Sequence, residues 1–214
     1  MRIRSTRTPA AALLALALCA PAHGACPAAW CDNFERDAGQ WRLDGGGVLR
    51  SQADAASTNS VLFLPPGALA LPAGPTRDKL AAGEHFVEAR LRPAATGGDA
   101  ARRALLLVRY ADPRNWVGAA INIVPGRPRM GVDLVQMRDA SLTRLRQLGH
   151  DATPAGGFQT LRVELARGEL AAWLDGERVA ATLPAAAPAA GAALLAEHGA
   201  FEFDDVRMGP GGAR

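Results

Sequence analysis

Paired carboxylates are the first groups to test for chemistry. Acid–base cleavage of a glycosidic bond needs two carboxyl groups about 5–5.5 Å apart for retention or 6.5–9.5 Å for inversion. One candidate is Glu164-Leu165-Ala166-Arg167-Gly168-Glu169. Its Arg-Gly step predicts a chain reversal, which puts the two acids on neighbouring strands at a solvated hairpin end. The other is Glu202, Asp204 and Asp205. In an extended strand Glu202 and Asp204 share one face, while Phe201, Phe203 and Asp205 share the other. Both groupings read as wet strand ends rather than an acid/base pair. Nucleophilic catalysis has less support. The chain lacks a Gly-x-Ser-x-Gly elbow, and His85, His150 and His198 lie far apart without a motif.

The N-terminus carries a different signal. Basic Arg2, Arg4 and Arg7 precede the apolar run Ala10 to Ala20, and small residues follow at Ala20-Pro21-Ala22. The apolar stretch is about half as long as a membrane helix requires. Residues 1–22 therefore read as an export signal that is removed, with Ala22-His23-Gly24 as an alternative cleavage site. Cys19 leaves with it. The remaining Cys26 and Cys31 suggest a local disulfide in an exported chain. Lipidation at Cys26 is the rival reading, although His23-Gly24-Ala25 lacks the usual leucine. The expected address is the periplasm or the exterior.

Without the three leader arginines, 21 basic side chains face 21 acidic ones, so the formal charge of +3 belongs to the leader. A nearly neutral body has no general pull on polyanions, which argues against nucleic acid. Hydrophobic residues make up 49% and charged residues 21%, the proportions of a packed globule rather than a disordered chain.

These residues need elements to hold them. Amphipathic helices are missing. Runs of period two recur between turn residues at Gln40–Asp44, Gly47–Ser51, Ser60–Leu64, His85–Arg92, Ala104–Tyr110, Asn115–Val124, Arg129–Met137, Thr143–Gly149, Phe158–Leu165, Glu169–Asp175, Arg178–Leu183, Ala192–Glu197 and Phe201–Met208. Asp175-Gly176 supplies the positive-φ pair of a two-residue hairpin, and Arg167-Gly168 a second reversal just before it. About a dozen strands without crossover helices predict an all-β, antiparallel two-sheet sandwich of the jelly-roll kind. One domain is expected over residues 26–209, followed by a tail at 210–214. The run Leu105-Leu106-Leu107-Val108 is apolar on both parities, so its strand is expected to be covered on both faces.

Polar and aromatic side chains on such a scaffold suit sugar recognition, which combines aromatic stacking with planar hydrogen-bonding groups. Arg90, Arg109 and Asp133 fall on outward parities of strands expected to be adjacent. Arg114 and Asn115 gather with Tyr110 and Trp116 around Asp112-Pro113, and Trp173 precedes the Asp-Gly turn. The alternative places Tyr110 and Trp116 in the core, makes Arg114 and Asn115 turn residues, and leaves Trp173 divided between core and groove.

The order of segments resembles the concanavalin A-like lectin/glucanase superfamily, especially its laminin-G-like and 3-keto-disaccharide-hydrolase-like domains. It runs Asp32-Asn33-Phe34-Glu35, Gln40-Trp41, Phe86-Val87-Glu88-Ala89-Arg90, Val108 to Trp116, Leu161-Arg162-Val163-Glu164, Trp173-Leu174-Asp175-Gly176 and Phe201 to Met208. The resemblance implies a jelly roll whose concave sheet carries saccharides. It also implies a structural Ca²⁺ held by Asp204 with Asp32 as partner, hard oxygen ligands from two distant strands. The glucanase motif Glu-x-Asp-x-x-Glu is broken here by Ala166, and the hydrolase branch's Asn-Ser-Gly survives only as Asn59-Ser60-Val61. The expected function is therefore non-catalytic recognition of a glycan or cell-envelope polysaccharide. A divergent hydrolase or lyase and a laminin-G-like adhesion domain are the alternatives.

Overall fold

The computed structural model describes residues 30–35, 37–51, 60–74, 85–95, 101–124, 129–151, 157–184, 186–187 and 190–211. Among the described residues fifteen strands form two antiparallel sheets, and no helix occurs. The strands are β1 (Trp30–Asp32), β2 (Trp41–Asp44), β3 (Val48–Ser51), β4 (Ser60–Leu64), β5 (Leu69–Pro72), β6 (His85–Pro93), β7 (Arg102–Asp112) and β8 (Asn115–Ile123). They continue with β9 (Arg129–Arg138), β10 (Ser141–Asp151), β11 (Gln159–Ala166), β12 (Glu169–Leu174), β13 (Glu177–Thr182), β14 (Gly191–His198) and β15 (Phe201–Pro210).

The eight-stranded sheet runs β13-β12-β11-β6-β15-β4-β3, with β1 also paired to β15; the seven-stranded sheet runs β10-β9-β8-β7-β14-β5-β2. This is the expected all-β jelly-roll sandwich. β15 is the hub of the larger sheet. It pairs with β6 on one edge, and on the other with β4 through Phe201–Phe203 and with β1 through Val206–Met208.

Alternation builds the core between the sheets. Val87, Ala89 and Leu91 of β6, Leu161, Val163 and Leu165 of β11, and Met130, Val132 and Leu134 of β9 all enter it. Glu88, Arg90, Arg162 and Asp133 take the opposite parity. β7 behaves as its sequence predicts: Leu106 and Val108 join this core, while Leu105 and Leu107 are fully buried in a second cluster on the other side of the sheet. At Asp175-Gly176 φ is 46° and 93°, and at Arg167-Gly168 it is 51° and 74°, the left-handed pairs that tight hairpins need.

Two strands escape the periodicity argument. β5 lies inside the Ala/Pro/Gly-rich stretch Pro65 to Pro75, whose composition reads as a loop between elements, and β1 has only three residues. Both are held by neighbours: β5 between β14 and β2, and β1 against β15.

Candidate functional site

The residues singled out from sequence fall in three places. Arg90 and Trp173 lie on the outward face of the eight-stranded sheet, whereas Arg109 and Asp133 belong to the other sheet. The expectation that Arg90, Arg109 and Asp133 share neighbouring strands is corrected here. β6 and β7 are consecutive in sequence, but the chain crosses between sheets after β6.

Arg90 is part of a charge ladder. Its Nη1 donates to Asp205 Oδ2 at 3.0 Å and lies 3.8 Å from Asp204, and its guanidinium covers the Phe158 ring at 4.9 Å. Arg92 Nε donates to Glu202 at 2.6 Å. Arg162 donates to Glu164 at 2.8 Å, approaches Glu88 at 3.7 Å and stacks on Phe86 at 3.6 Å. Trp173 is half-buried between Arg162 and Arg178, at 6.0 and 5.5 Å from its ring. Glu88, Glu164 and Glu202, the acids best placed for catalysis on this face, each meet an arginine.

Arg109 is buried rather than outward. The register of β7 against β8 slips between Leu107 and Arg109, and this bulge pairs Arg109 with the core residue Val117. Its Nη1 donates to the Ala190 carbonyl at 3.1 Å, and burial lowers the guanidinium pKa below its usual value.

Arg114 and Asn115 sit at the β7–β8 turn. Asp112 Oδ1 accepts the Arg114 amide at 2.7 Å and Asn115 Nδ2 at 3.3 Å, an Asx-type corner. The same tip holds the neighbouring one: the Asp139 amide donates to Asn115 Oδ1 at 3.1 Å, and the Ala140 amide donates to the Arg114 carbonyl at 3.1 Å. Asn115 thus fastens two hairpin ends together.

The second apolar cluster marks the outward face of the seven-stranded sheet as different from its counterpart. Leu71, Leu105, Leu107, Trp116, Ala120, Val135 and Ala193 are buried there, with Leu69, Tyr110, Met137 and Leu195 packed on them. A sheet face turned away from the core is commonly polar and wet. Gly118 keeps the middle flat, because a Cβ on it would lie 2.2 Å from the Leu106 carbonyl oxygen. Tyr110 closes one end of the strip. Its hydroxyl pKa is raised by burial and then by Asp112 and Asp44, with Arg42 opposing.

The other end is polar. Asp133 is buried at the cross-strand neighbours Ala120 and Gln147. Its Oδ2 accepts Asn122 Nδ2 at 3.0 Å and meets Arg144 Nε at 3.1 Å. Arg103 Nη1 donates to Glu197 at 2.6 Å one strand further on. Sequence reasoning found Asp133 but missed Asn122, Arg103 and Arg144. The signal lies in β8, where Gly118, Ala120 and Asn122 alternate on one parity, small residues leading to an amide.

The acids on this face do not form a cleaving pair. Asp133 on β9 and Glu197 on β14 are separated by β8 and β7, which sets their backbones about 14 Å apart at the usual strand spacing. Asp44 on β2 meets Arg42 at 3.1 Å.

Asp32 and Asp204 do not fit one shared calcium ion. Asp32 stands at the register of Val206 on the core side, where its Oδ1 accepts the Phe34 amide and its Oδ2 accepts Trp41 Nε1, both at 2.8 Å. Asp204 stands at the register of Arg90 on the outward side, and its Oδ1 accepts the Asp205 amide at 2.8 Å. No group of three or more His, Cys, Asp or Glu is placed to hold a metal among the described residues. Cys31 lies on β1; Cys26, its expected disulfide partner, and the leader at 1–22 lie outside the described residues.

No protein-family model matches the sequence, and no curated protein matches it. Solved structures match the fold. The carbohydrate binding module CBM66 from Bacillus subtilis superposes with a TM-score of 0.57 at 10% identity, over 79% of this chain and 95% of that one. A Bacillus licheniformis beta-glucanase gives 0.56 at 12%, over 84% and 97%. The cellulose induced protein Cip1 gives 0.55 at 16%, over 84% and 96%. The fold is the concanavalin A-like jelly roll, as the order of sequence segments implies.

Proposed function

We propose that this chain is an exported, non-catalytic carbohydrate-recognition protein that works at the cell envelope through the outward face of its seven-stranded sheet. The observation that carries the reading is the second apolar cluster. A strip of buried aliphatic and aromatic side chains runs into an end built from Asn122, Asp133, Arg144 and Gln147. The half-buried Leu69, Tyr110, Met137 and Leu195 that cap this strip offer the accessible apolar patch, and a patch of that kind meeting planar amide and guanidinium groups is what the two sides of a sugar ring require. The fold is compatible with binding and with catalysis alike, since its structural relatives include both.

The absence of catalysis is argued from the acids. Among the described residues of this face, Asp44, Asp133 and Glu197 each meet an arginine, and the last two stand too far apart for either hydrolytic geometry. The export reading rests on the leader at residues 1–22, and the Cys26–Cys31 disulfide would then anchor β1 at the start of the exported domain. Arg114 and Asn115 serve the site as the fastening between two hairpin tips beside Trp116. Arg90, Arg109 and Trp173 would act in scaffold and charge ladder rather than in ligand contact.

A glycan array and polysaccharide pull-down with the purified chain test the proposal. Retention by at least one polymer, with no new products by mass spectrometry, is the expected result. Product formation lost on Glu88→Gln, Glu164→Gln or Glu202→Gln would establish an enzyme instead. Capture of an envelope protein unaffected by sugar competition would favour an adhesion domain. Fractionation with intact-mass analysis reads export, cleavage and the disulfide together.

A further inference from the structure

We infer that the polar end of this face, a notch centred on Asn122, takes the adjacent hydroxyl groups of an uncharged saccharide; the inference rests on the carbohydrate reading above. Two buried atoms there have no hydrogen-bond partner: the acceptor Asp133 Oδ1 and the donor Arg103 Nε. They lie on either side of one amide. Arg103 is the cross-strand neighbour of Asn122, and Asn122 Nδ2 donates to the other oxygen of Asp133. Leaving a buried polar atom unpaired is costly, so both atoms favour a partner. A donor and an acceptor left open together match a group that both gives and takes a hydrogen bond, and a hydroxyl does both.

The neighbouring backbone leaves room for such a group. Asn122 faces Gly131 across β9, and Gly131 faces Gly149 across β10, so side chains are missing from two successive strands. A Cβ on Gly149 would meet no atom within 4 Å. At Gly131 the nearest atom is Gln147 Nε2, at 3.1 Å, the far end of an exposed and flexible side chain that an entering ligand displaces.

The charges specify the class. Among the described residues the arginines of this face are Arg42, Arg103 and Arg144, and they are matched by Asp44, Glu197 and Asp133. A carboxylated or sulfated sugar finds no cation that lacks an acid. At this end of the face an amino sugar finds no acid that lacks a cation; Asp112, held by backbone and amide donors, lies at the Tyr110 end. Hydroxyl groups need neither.

The test is titration calorimetry of the full chain with four uncharged probes (cello-, laminari-, xylo- and mannotetraose) and with tetragalacturonic acid. Two variants are measured beside it: Asp133→Asn, which alters the open acceptor, and Gly149→Val, which fills the notch without touching a hydrogen bond and suits a strand. At least one neutral tetraose is expected to bind tenfold or more tightly than the acid, with little dependence on salt. Gly149→Val is expected to weaken that binding at least tenfold at an unchanged melting temperature, and Asp133→Asn likewise. Undiminished binding by Gly149→Val would overturn the notch, whose open atoms would then hold water only, while leaving carbohydrate recognition standing. Tighter, salt-sensitive binding of tetragalacturonic acid would overturn the uncharged class alone. Failure of every probe, together with a blank glycan array, would remove both readings.

Discussion

Replacing Asp32 is the most informative single perturbation of the scaffold. Its carboxylate fastens three elements: it belongs to β1, accepts the Phe34 amide in the following turn, and accepts the indole of Trp41 on β2, both at 2.8 Å. Phe34 is held at φ 59°, a left-handed conformation unusual for a large side chain, and the Asp32 bond supports it there. Trp30 and Phe34 then pack against Trp41 at ring distances of 5.2 and 5.9 Å. Asp32→Ala strands two donors in a buried setting, at about 1–3 kcal/mol each, so a loss of about 2–5 kcal/mol is expected. Set against the roughly 5–15 kcal/mol that holds a typical domain, the variant folds but with a markedly lower denaturation midpoint. Asp32→Asn keeps one acceptor and turns an NH₂ group toward the second donor, so about half that loss is expected.

The pH dependence supplies a second readout. Burial raises the Asp32 pKa above 3.8, opposed by the bonds from Phe34 and Trp41 and helped by Asp37. Between the unfolded value and this raised folded value, the native state holds a proton that the unfolded state has lost. Stability therefore falls as pH rises through that window. Asp32→Asn has nothing to titrate there, so the gap between wild type and Asp32→Asn is widest in acid and narrows above the window. Urea unfolding followed by tryptophan emission, at pH values on both sides of it, measures both effects. A loss below about 0.5 kcal/mol for Asp32→Ala, or a gap that widens with pH, would refute the argument.

Other outcomes follow from named geometry. Ala140 sits at φ 66° in the β9–β10 turn, so Ala140→Gly should relieve strain and raise stability by about 0.5–1 kcal/mol, visible as a higher melting temperature. Gly118→Ala should destabilise by more than about 2 kcal/mol in urea, since the new Cβ meets backbone rather than a movable side chain. Leu105→Ala and Leu106→Ala should each cost about 2–5 kcal/mol, because both faces of β7 are packed; an unaffected Leu105→Ala would reduce the second cluster to a surface strip. Calcium or a chelator should leave the melting temperature unmoved, because Asp32 and Asp204 face opposite sides of their sheet.

What could be read from the sequence follows from how local each determinant is. The alternation in β6, β9 and β11 is written residue by residue, as are Asp175-Gly176 and the doubled apolar run of β7, and these correspond to the structure. Arg109 shows where parity stops working: one extra residue in a bulge turns an outward arginine toward the core, and no pattern within β7 announces it. Arg90 shows a different limit. Its side of the strand is legible, but the sheet to which β6 belongs is fixed by pairing with β15, more than a hundred residues away. The polar notch is less legible still. It gathers Arg103, Asn122, Asp133 and Gln147 from four successive strands, and each looks ordinary in its own segment. β5 is hidden by the prolines and glycines around it: Pro65, Pro66 and Gly67 belong to the turn before it, and Pro72 is itself the last residue that pairs, opposite Trp41.

β15 joins β6, β4 and β1, yet it follows all three in the sequence and is synthesised after them. Until it is made, the β3-β4 pair and the β6-β11-β12-β13 group have nothing to join them, and β1 has no strand to pair with. Such a polypeptide stays threadable until β15 emerges, an advantage for any product that must pass through a narrow pore before it closes up. It also makes truncation before Phe201 unforgiving, because that removes the strand on which three others converge.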